Sequence, residues 1–217
     1  MSDTLYAVYG ASGFGREVMP LLRSMLACNH MTARLVFVDD GYVGDFANEY
    51  QVLSYNDFLA QPEKHKKACI AIANSKVREQ LAEKLLKDKV EVIDVEAFNV
   101  CKLDDVVLEQ GSILCPFVTL TSNIKVGRHF HANIYSYIAH DCVIGDYVTF
   151  APRVNCNGNV HIHDHAYIGT GAVLKQGTPD KPLIIGRGAV VGMGAVVTKD
   201  VPDGAVVVGN PAKPLAK

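Results

Sequence analysis

Three groups of residues in this 217-residue chain carry types and spacings that could do chemistry. The first is His140-Asp141, inside Tyr137-Ile-Ala-His-Asp-Cys-Val-Ile-Gly145. An imidazole with an unperturbed pKa of about 6.5 can take a proton at neutral pH, and an adjacent carboxylate can fix its tautomer and stabilise the imidazolium. On the dipeptide alone, a plain surface pair is the simpler reading. The second group is His161, His163 and His165, with Asp164 between the last two. Alternating histidines are plausible zinc ligands, yet a turning backbone would spread them, and a solvated face is the blander account. His129 and His131 read the same way. The third is Gly10-Ala-Ser12-Gly13-Phe14-Gly15, with Asp39-Asp40-Gly41 further on. Glycines let a backbone approach a phosphate at a helix N-terminus, and an acid at the next strand tip can accept from a ribose or base. The spacing is GxxGxG, not the dinucleotide GxGxxG. A tight turn that simply needs glycine is the competing explanation.

The elements that must position these groups are legible as repeats. From Leu108 to Leu174 every sixth residue is apolar, running through Leu114, Leu120, Val126, Ala132, Ile138, Ile144, Phe150, Cys156, Ile162 and Ile168. A companion track two residues earlier, from Val106 to Ala172, holds small or mostly β-branched residues. Neither a helix nor an ordinary strand face recurs at six. A hexad of this kind marks a β-solenoid, in which stacking rather than any single repeat supplies the core. The track restarts at Ile185, Val191 and Val197, so residues 175–183 form an inserted loop. With both tracks inward, His140 and Asp141 fall between them, at a corner and facing out. Periodicity does not fix the hexads per turn; three would stack five coils at roughly 4.8 Å each.

Residues 1 to about 95 lack the hexad. Apolar strands at Leu5–Tyr9, Leu35–Val38, Ala68–Ala73 and Val90–Val95 alternate with helices at Phe14 to about Ala27 and Ser75 to about Lys87, which predicts a parallel α/β unit. Pro20 lies inside the first helix and should kink it or shift its start. The expected organisation is a Rossmann-like α/β nucleotide-binding domain over 1–95, a linker over 96–105, and an all-β left-handed parallel β-helix with a C-terminal tail over 106–217.

A net charge of −2 argues against a nucleic-acid partner, and no apolar run has transmembrane length. The start MSDTLYAVYG lacks a signal core, so a cytoplasmic location is expected. Of six cysteines, Cys142 and Cys156 sit on the inward tracks as small apolar residues; a disulfide scaffold is not expected.

The hexad track, the HDCVIGDY string, Asn157-Gly-Asn-Val160 and the terminal Val208-Gly-Asn-Pro-Ala-Lys213 together resemble the left-handed β-helix acyltransferases. With GASGFG and VDD ahead of them, the whole chain is similar to bacterial nucleotide-sugar N-acetyltransferases of bacillosamine-type pathways; sialic-acid O-acetyltransferases share the plan. The resemblance implies acetyl-CoA as co-substrate without a metal, a homotrimer with sites between subunits, and N-acetylation of a UDP-linked 4-amino sugar for surface glycans. It assigns catalysis to His140 and Asp141. Coenzyme contacts carry over to Asn133, Thr149, Gly158, Thr170 and Met193, with Asn210 and Pro211 near the coenzyme. Substrate contacts carry over to Gly10, Ser12, Gly13, Phe14, Asp39, Asp40, Ala73 and Asn74. Phe14 departs from the histidine that many relatives carry in the glycine turn. Gly158 is the expected oxyanion donor, and no cysteine is placed to form an acyl-enzyme. Alternatives are O-acetylation of a sialic acid, a metal-dependent hydratase of the carbonic-anhydrase type, and a scaffold without chemistry.

Overall fold

The computed structural model describes residues 3–31 and 33–215. Contacts divide the chain into two compact units, Met1–Phe98 and Asn99–Lys217.

In the first unit, β1 (Thr4–Tyr9) leads into α1 (Gly13–Cys28), followed by β2 (Arg34–Val38), a short hairpin of β3 (Phe46–Ala47) and β4 (Tyr50–Leu53), α2 (Tyr55–Ala60), β5 (His65–Ile70), α3 (Ser75–Lys87) and β6 (Glu91–Val92). The sheet order is β3-β4-β2-β1-β5-β6, parallel except within the hairpin. β1 is buried along almost its whole length, as a strand covered on both faces should be. The chain leaves β1 toward β2 on one side and later places β5 on the other, so the order reverses between β1 and β5. Open α/β sheets bind ligands in the crevice outside the carboxyl ends at such a point. Helix α1 runs through Pro20, which is exposed. The hairpin and α2 were not expected; each is too short to show a period of its own.

The second unit is a left-handed parallel β-helix. Two- and three-residue strands pair parallel with the strand one coil on: His131 with Thr149, Thr149 with Tyr167, Tyr137 with Asn155, Val143 with His161. Partners are 18 residues apart, so three hexads make one turn. Across the insertion the partners Val160 and Leu183 are 23 apart, so five extra residues loop out there. The stretch 96–105, expected as a linker, contains Cys101–Lys102, which already pairs with Thr119–Leu120. Part of it is therefore rung.

Both hexad tracks fill the interior, from Leu114 through Phe130 and Phe150 to Val207. The bends between strands use a third track. At Phe117, Asn123, His129, Tyr135, Asp141, Tyr147, Arg153, Asn159 and His165 the backbone is left-handed, with φ between 54° and 64°. Every sixth residue thus turns a corner in a conformation that β-branched side chains resist, and none occurs in this set.

Two corrections follow from that geometry. His129 and His165, expected as solvated, are 6 % and 8 % exposed. Lying 18 residues either side of Tyr147 on one corner, they stack on its ring at 5.2 and 5.3 Å, nearly parallel. His131, also expected outside, is 1 % exposed, paired between Ile113 and Thr149. Only His163 of the cluster is exposed, with His161 intermediate. Among the described residues no group of three or more His, Cys, Asp or Glu could hold a metal ion, and no helix is long and apolar enough to cross a membrane.

Candidate active site

His140 and Asp141 occupy the corner between strands Tyr137–Ile138 and Val143–Ile144. Asp141 is the left-handed corner residue, which brings its carboxylate back onto its neighbour: His140 Nδ1 and Asp141 Oδ2 are 2.7 Å apart. Both side chains are about half exposed, at 47 % and 45 %. The other carboxylate oxygen accepts from Asn123 Nδ2 at 3.0 Å. The hydrogen bond from His140, and then that from Asn123, hold the Asp141 carboxyl below its ordinary value.

One coil on, Gly158 lies against the imidazole. A methyl group there would come within 2.5 Å of His140 Cε1 and 2.6 Å of Nε2. Glycine is required at this point because the ring occupies the space a side chain would need. Among the described residues no hydrogen bond is made by the Gly158 N–H, whereas its carbonyl accepts from the Gly177 N–H at 3.0 Å. Beside it, Asn157 accepts from Tyr137 Oη at 2.8 Å and donates to the Leu174 carbonyl at 2.7 Å. Beneath the corner, Cys142 and Cys156 are buried thiols; the bond to Cys142, with burial, pushes the Cys156 thiol up. Both belong to the interior core cluster.

The expected coenzyme residues do not all gather here. Only Gly158 shares the His140 corner. Asn133, Thr170 and Met193 lie on the preceding corner, between the sheet of Tyr167–Ile168 and that of Val173–Leu174. Thr170 helps line an open groove of about 620 Å³ with Tyr135, Arg153, Asn155 and Gly171. Asn133 Oδ1 accepts from the Ile134 N–H at 2.7 Å. Met193 is exposed, Thr149 is buried within its sheet, and Asn210 and Pro211 are exposed in the turn before Lys213–Pro214.

In the first unit the expected substrate residues converge on the carboxyl ends of β1, β2 and β5. Gly10 has φ +107° and Gly15 packs directly on its carbonyl, so both are dictated by the turn. Gly13 opens α1 with nothing within 4 Å of where a side chain would start. Ser12 is the exposed N-cap without a side-chain capping bond, and Phe14 follows in the first turn, half-buried. Asp39 accepts from the Ala11 N–H at 2.9 Å and the Gly41 N–H at 3.0 Å, so it ties the two loops together. Asp40 accepts from the Tyr55 N–H at 2.7 Å and Tyr9 Oη at 3.1 Å. Burial, with Asp40 alongside, raises the Tyr9 hydroxyl above its ordinary value. Ala73 is exposed, and Asn74 caps α3 by accepting from the Lys76 and Val77 N–H groups.

Asn123 was missed from sequence. Its signal is positional: it stands 18 residues before Asp141, which is informative only once the coil length is known.

A parallel α/β unit whose strand order reverses between β1 and β5, followed by a left-handed β-helix with an outward His–Asp pair, is the plan of an acyltransferase of the hexapeptide-repeat class. The PglD N-terminal domain model matches residues 6–85. Over 186 residues the chain is 51 % identical to the GDP-perosamine N-acetyltransferase of Escherichia coli O157:H7, covering 85 % of this chain and 84 % of that one. The solved structure of WeeI from Acinetobacter baumannii AYE is 62 % identical, covers 98 % of this chain and 100 % of its own, and superposes with a TM-score of 0.95. The acetyltransferase domain of PglB from Neisseria gonorrhoeae FA1090, in complex with acetyl coenzyme A, is 27 % identical over 99 % of this chain and 100 % of its own, with a TM-score of 0.84. The chain belongs to the hexapeptide-repeat sugar N-acetyltransferases with a PglD-type N-terminal domain.

Proposed function

We propose that this chain transfers the acetyl group of acetyl-CoA to the amine of a nucleoside-diphosphate-linked 4-amino sugar used in surface glycans. The carrying observation is His140 clamped at Nδ1 by Asp141 with its Nε2 edge against Gly158. In this reading Nδ1–H donates to the Asp141 carboxylate and Nε2 is the acceptor. The sugar amine attacks the thioester carbonyl as Nε2 takes its proton. The resulting oxyanion is held by the Gly158 N–H, and collapse expels the coenzyme thiolate, which recovers the proton from the imidazolium. Such a base is worth roughly 10²–10⁴-fold. No acyl-enzyme is involved.

The nucleotide is proposed to lie at Gly10, Ser12, Gly13, Phe14, Ala73 and Asn74, with Asp39 and Asp40 shaping the crevice wall. The resemblance read from sequence implies a uridine nucleotide. The 51 %-identical relative is named for a GDP-linked sugar, and at that identity it is the stronger guide, so a GDP-linked amino sugar is the proposed acceptor. A homotrimer is proposed on the resemblance read from sequence; that Asn133, Thr170 and Met193 sit on a different corner from His140 is compatible with sites shared between copies.

The test is release of free thiol from acetyl-CoA with GDP- and UDP-linked 4-amino sugars. Turnover is expected with the GDP sugar and is expected to fall at least about 10²-fold in His140→Ala. An active His140→Ala enzyme would remove the base, and preference for the UDP sugar would reverse the nucleotide assignment.

A further inference from the structure

The geometry points to Asn123 as the residue that positions the His140–Asp141 pair, a role that rests on the proposed function of that pair. Three observations carry it. Asn123 Nδ2 donates to Asp141 Oδ1 at 3.0 Å while Asp141 Oδ2 meets His140 Nδ1 at 2.7 Å, so each carboxylate oxygen has its own partner. Asn123 and Asp141 are successive residues of one corner column, with φ 58° and 59°, and the Asp141 N–H donates to the Ser122 carbonyl at 3.0 Å. The two side chains are thus mounted on adjacent, hydrogen-bonded turns. Finally, the Asp141 side chain is 45 % exposed.

That exposure is what gives Asn123 its work. A carboxylate at the surface rotates about its terminal torsion, which has only a broad preference of its own, and the single contact to the imidazole leaves that rotation free to trade oxygens. A second bond at Oδ1 removes the freedom and fixes the plane in which Oδ2 meets Nδ1. The amide also favours the ionised carboxylate, as the lowered Asp141 pKa reflects. Asn123 touches no reacting atom; it acts through Asp141.

The test uses substitutions that tolerate a left-handed corner. Asn123→Gly keeps the backbone at φ 58° and removes only the side chain. Asn123→Asp keeps the shape but replaces the donor by a second carboxylate. In the full-length enzyme Asn123→Gly is expected to lower kcat by about tenfold, the size of one lost hydrogen bond to a charged group, while the KM for acetyl-CoA changes less than about twofold. In an Asp141→Gly background, which also keeps its left-handed corner, the same change is expected to cost nothing further, because the two residues form one unit. Asn123→Asp is expected to move the acidic limb of the kcat/KM profile to higher pH, since added negative charge near His140 favours the imidazolium. Equal losses in both backgrounds, or an unchanged kcat in Asn123→Gly, would overturn the proposal. Activity surviving both His140→Ala and Asp141→Gly would instead remove the catalytic pair itself, and this positioning role with it. The two failures are therefore distinguishable.

Discussion

The ring of His140 is placed as much by a missing side chain as by its carboxylate partner. Asp141 holds one nitrogen, and Gly158, one coil away, leaves the other edge room to lie flat on the backbone. Replacing Gly158 by alanine puts a methyl group 2.6 Å from Nε2. Gly158 has no positive φ, so the backbone tolerates alanine and the exposed ring is what must move. Displacing a reacting group by about 1 Å costs on the order of 10²-fold in rate. Gly158→Ala is therefore expected to lose about that factor in kcat with its thermal unfolding midpoint unchanged; wild-type turnover would show that the ring is not held there. His140, Asp141 and Gly158 could be named as candidates from the chain because their strings match a family pattern, and the fold brings the three to one corner. Asn123 was not, because a partner 18 residues away has no local signature.

At the level of the elements, the bends of the helix differ in what stacks along them, from the Phe117–Tyr135 ring pair on one to a polar ladder on another. One corner uses carboxylates: the Arg128 N–H donates to Asp146 Oδ1 at 2.8 Å, and the Asp146 N–H donates to Asp164 Oδ1 at 2.9 Å. Farther along, the Arg187 N–H donates to Asp203 Oδ1 at 2.7 Å. These bonds satisfy N–H groups where the strands stop. Partial burial pushes the Asp146 carboxyl up, but hydrogen bonds and charge from Arg128 outweigh it and leave it below 3.8. A carboxyl depressed in the folded state adds stability above its unfolded pKa and loses it as pH falls through the folded value. The unfolding midpoint is thus expected to drop as pH falls below about 4, and to depend less on pH in Asp146→Asn; equal slopes would exclude Asp146 as a contributor. The corners were the part of the fold least legible in sequence. Their third track mixes Asn, Asp, His, Tyr, Phe and Arg, which share a tolerance for positive φ but no polarity. A reading based on apolar periodicity therefore passed over the stacked His129, Tyr147 and His165 and assigned the histidines to solvent.

For the molecule as a whole, what sequence makes legible is set by how far apart the cooperating residues lie. The hexad track announced the β-helix because every repeat faces the same interior, and its break announced the inserted loop. The α/β unit was legible in its long elements, while the hairpin and α2, set by contacts across the sheet, were not. A solenoid also has an end, and terminal repeats need a cap. Here Lys213–Pro214 pairs antiparallel with Val206–Val208, the Leu215 N–H donates to the Val206 carbonyl at 2.8 Å, and the Ala212 N–H donates to the Val196 carbonyl at 2.8 Å. The reversal closes an edge that would otherwise present unpaired groups on a run of three valines to other molecules. A chain stopped after Gly209 is expected to lose about 1–2 kcal/mol, or some 2–8 °C in unfolding midpoint for a protein of this size. It should also self-associate with rising concentration, as sedimentation would report. If that shortened chain keeps its midpoint and its assembly state at every concentration, the last coil does not depend on its antiparallel strand.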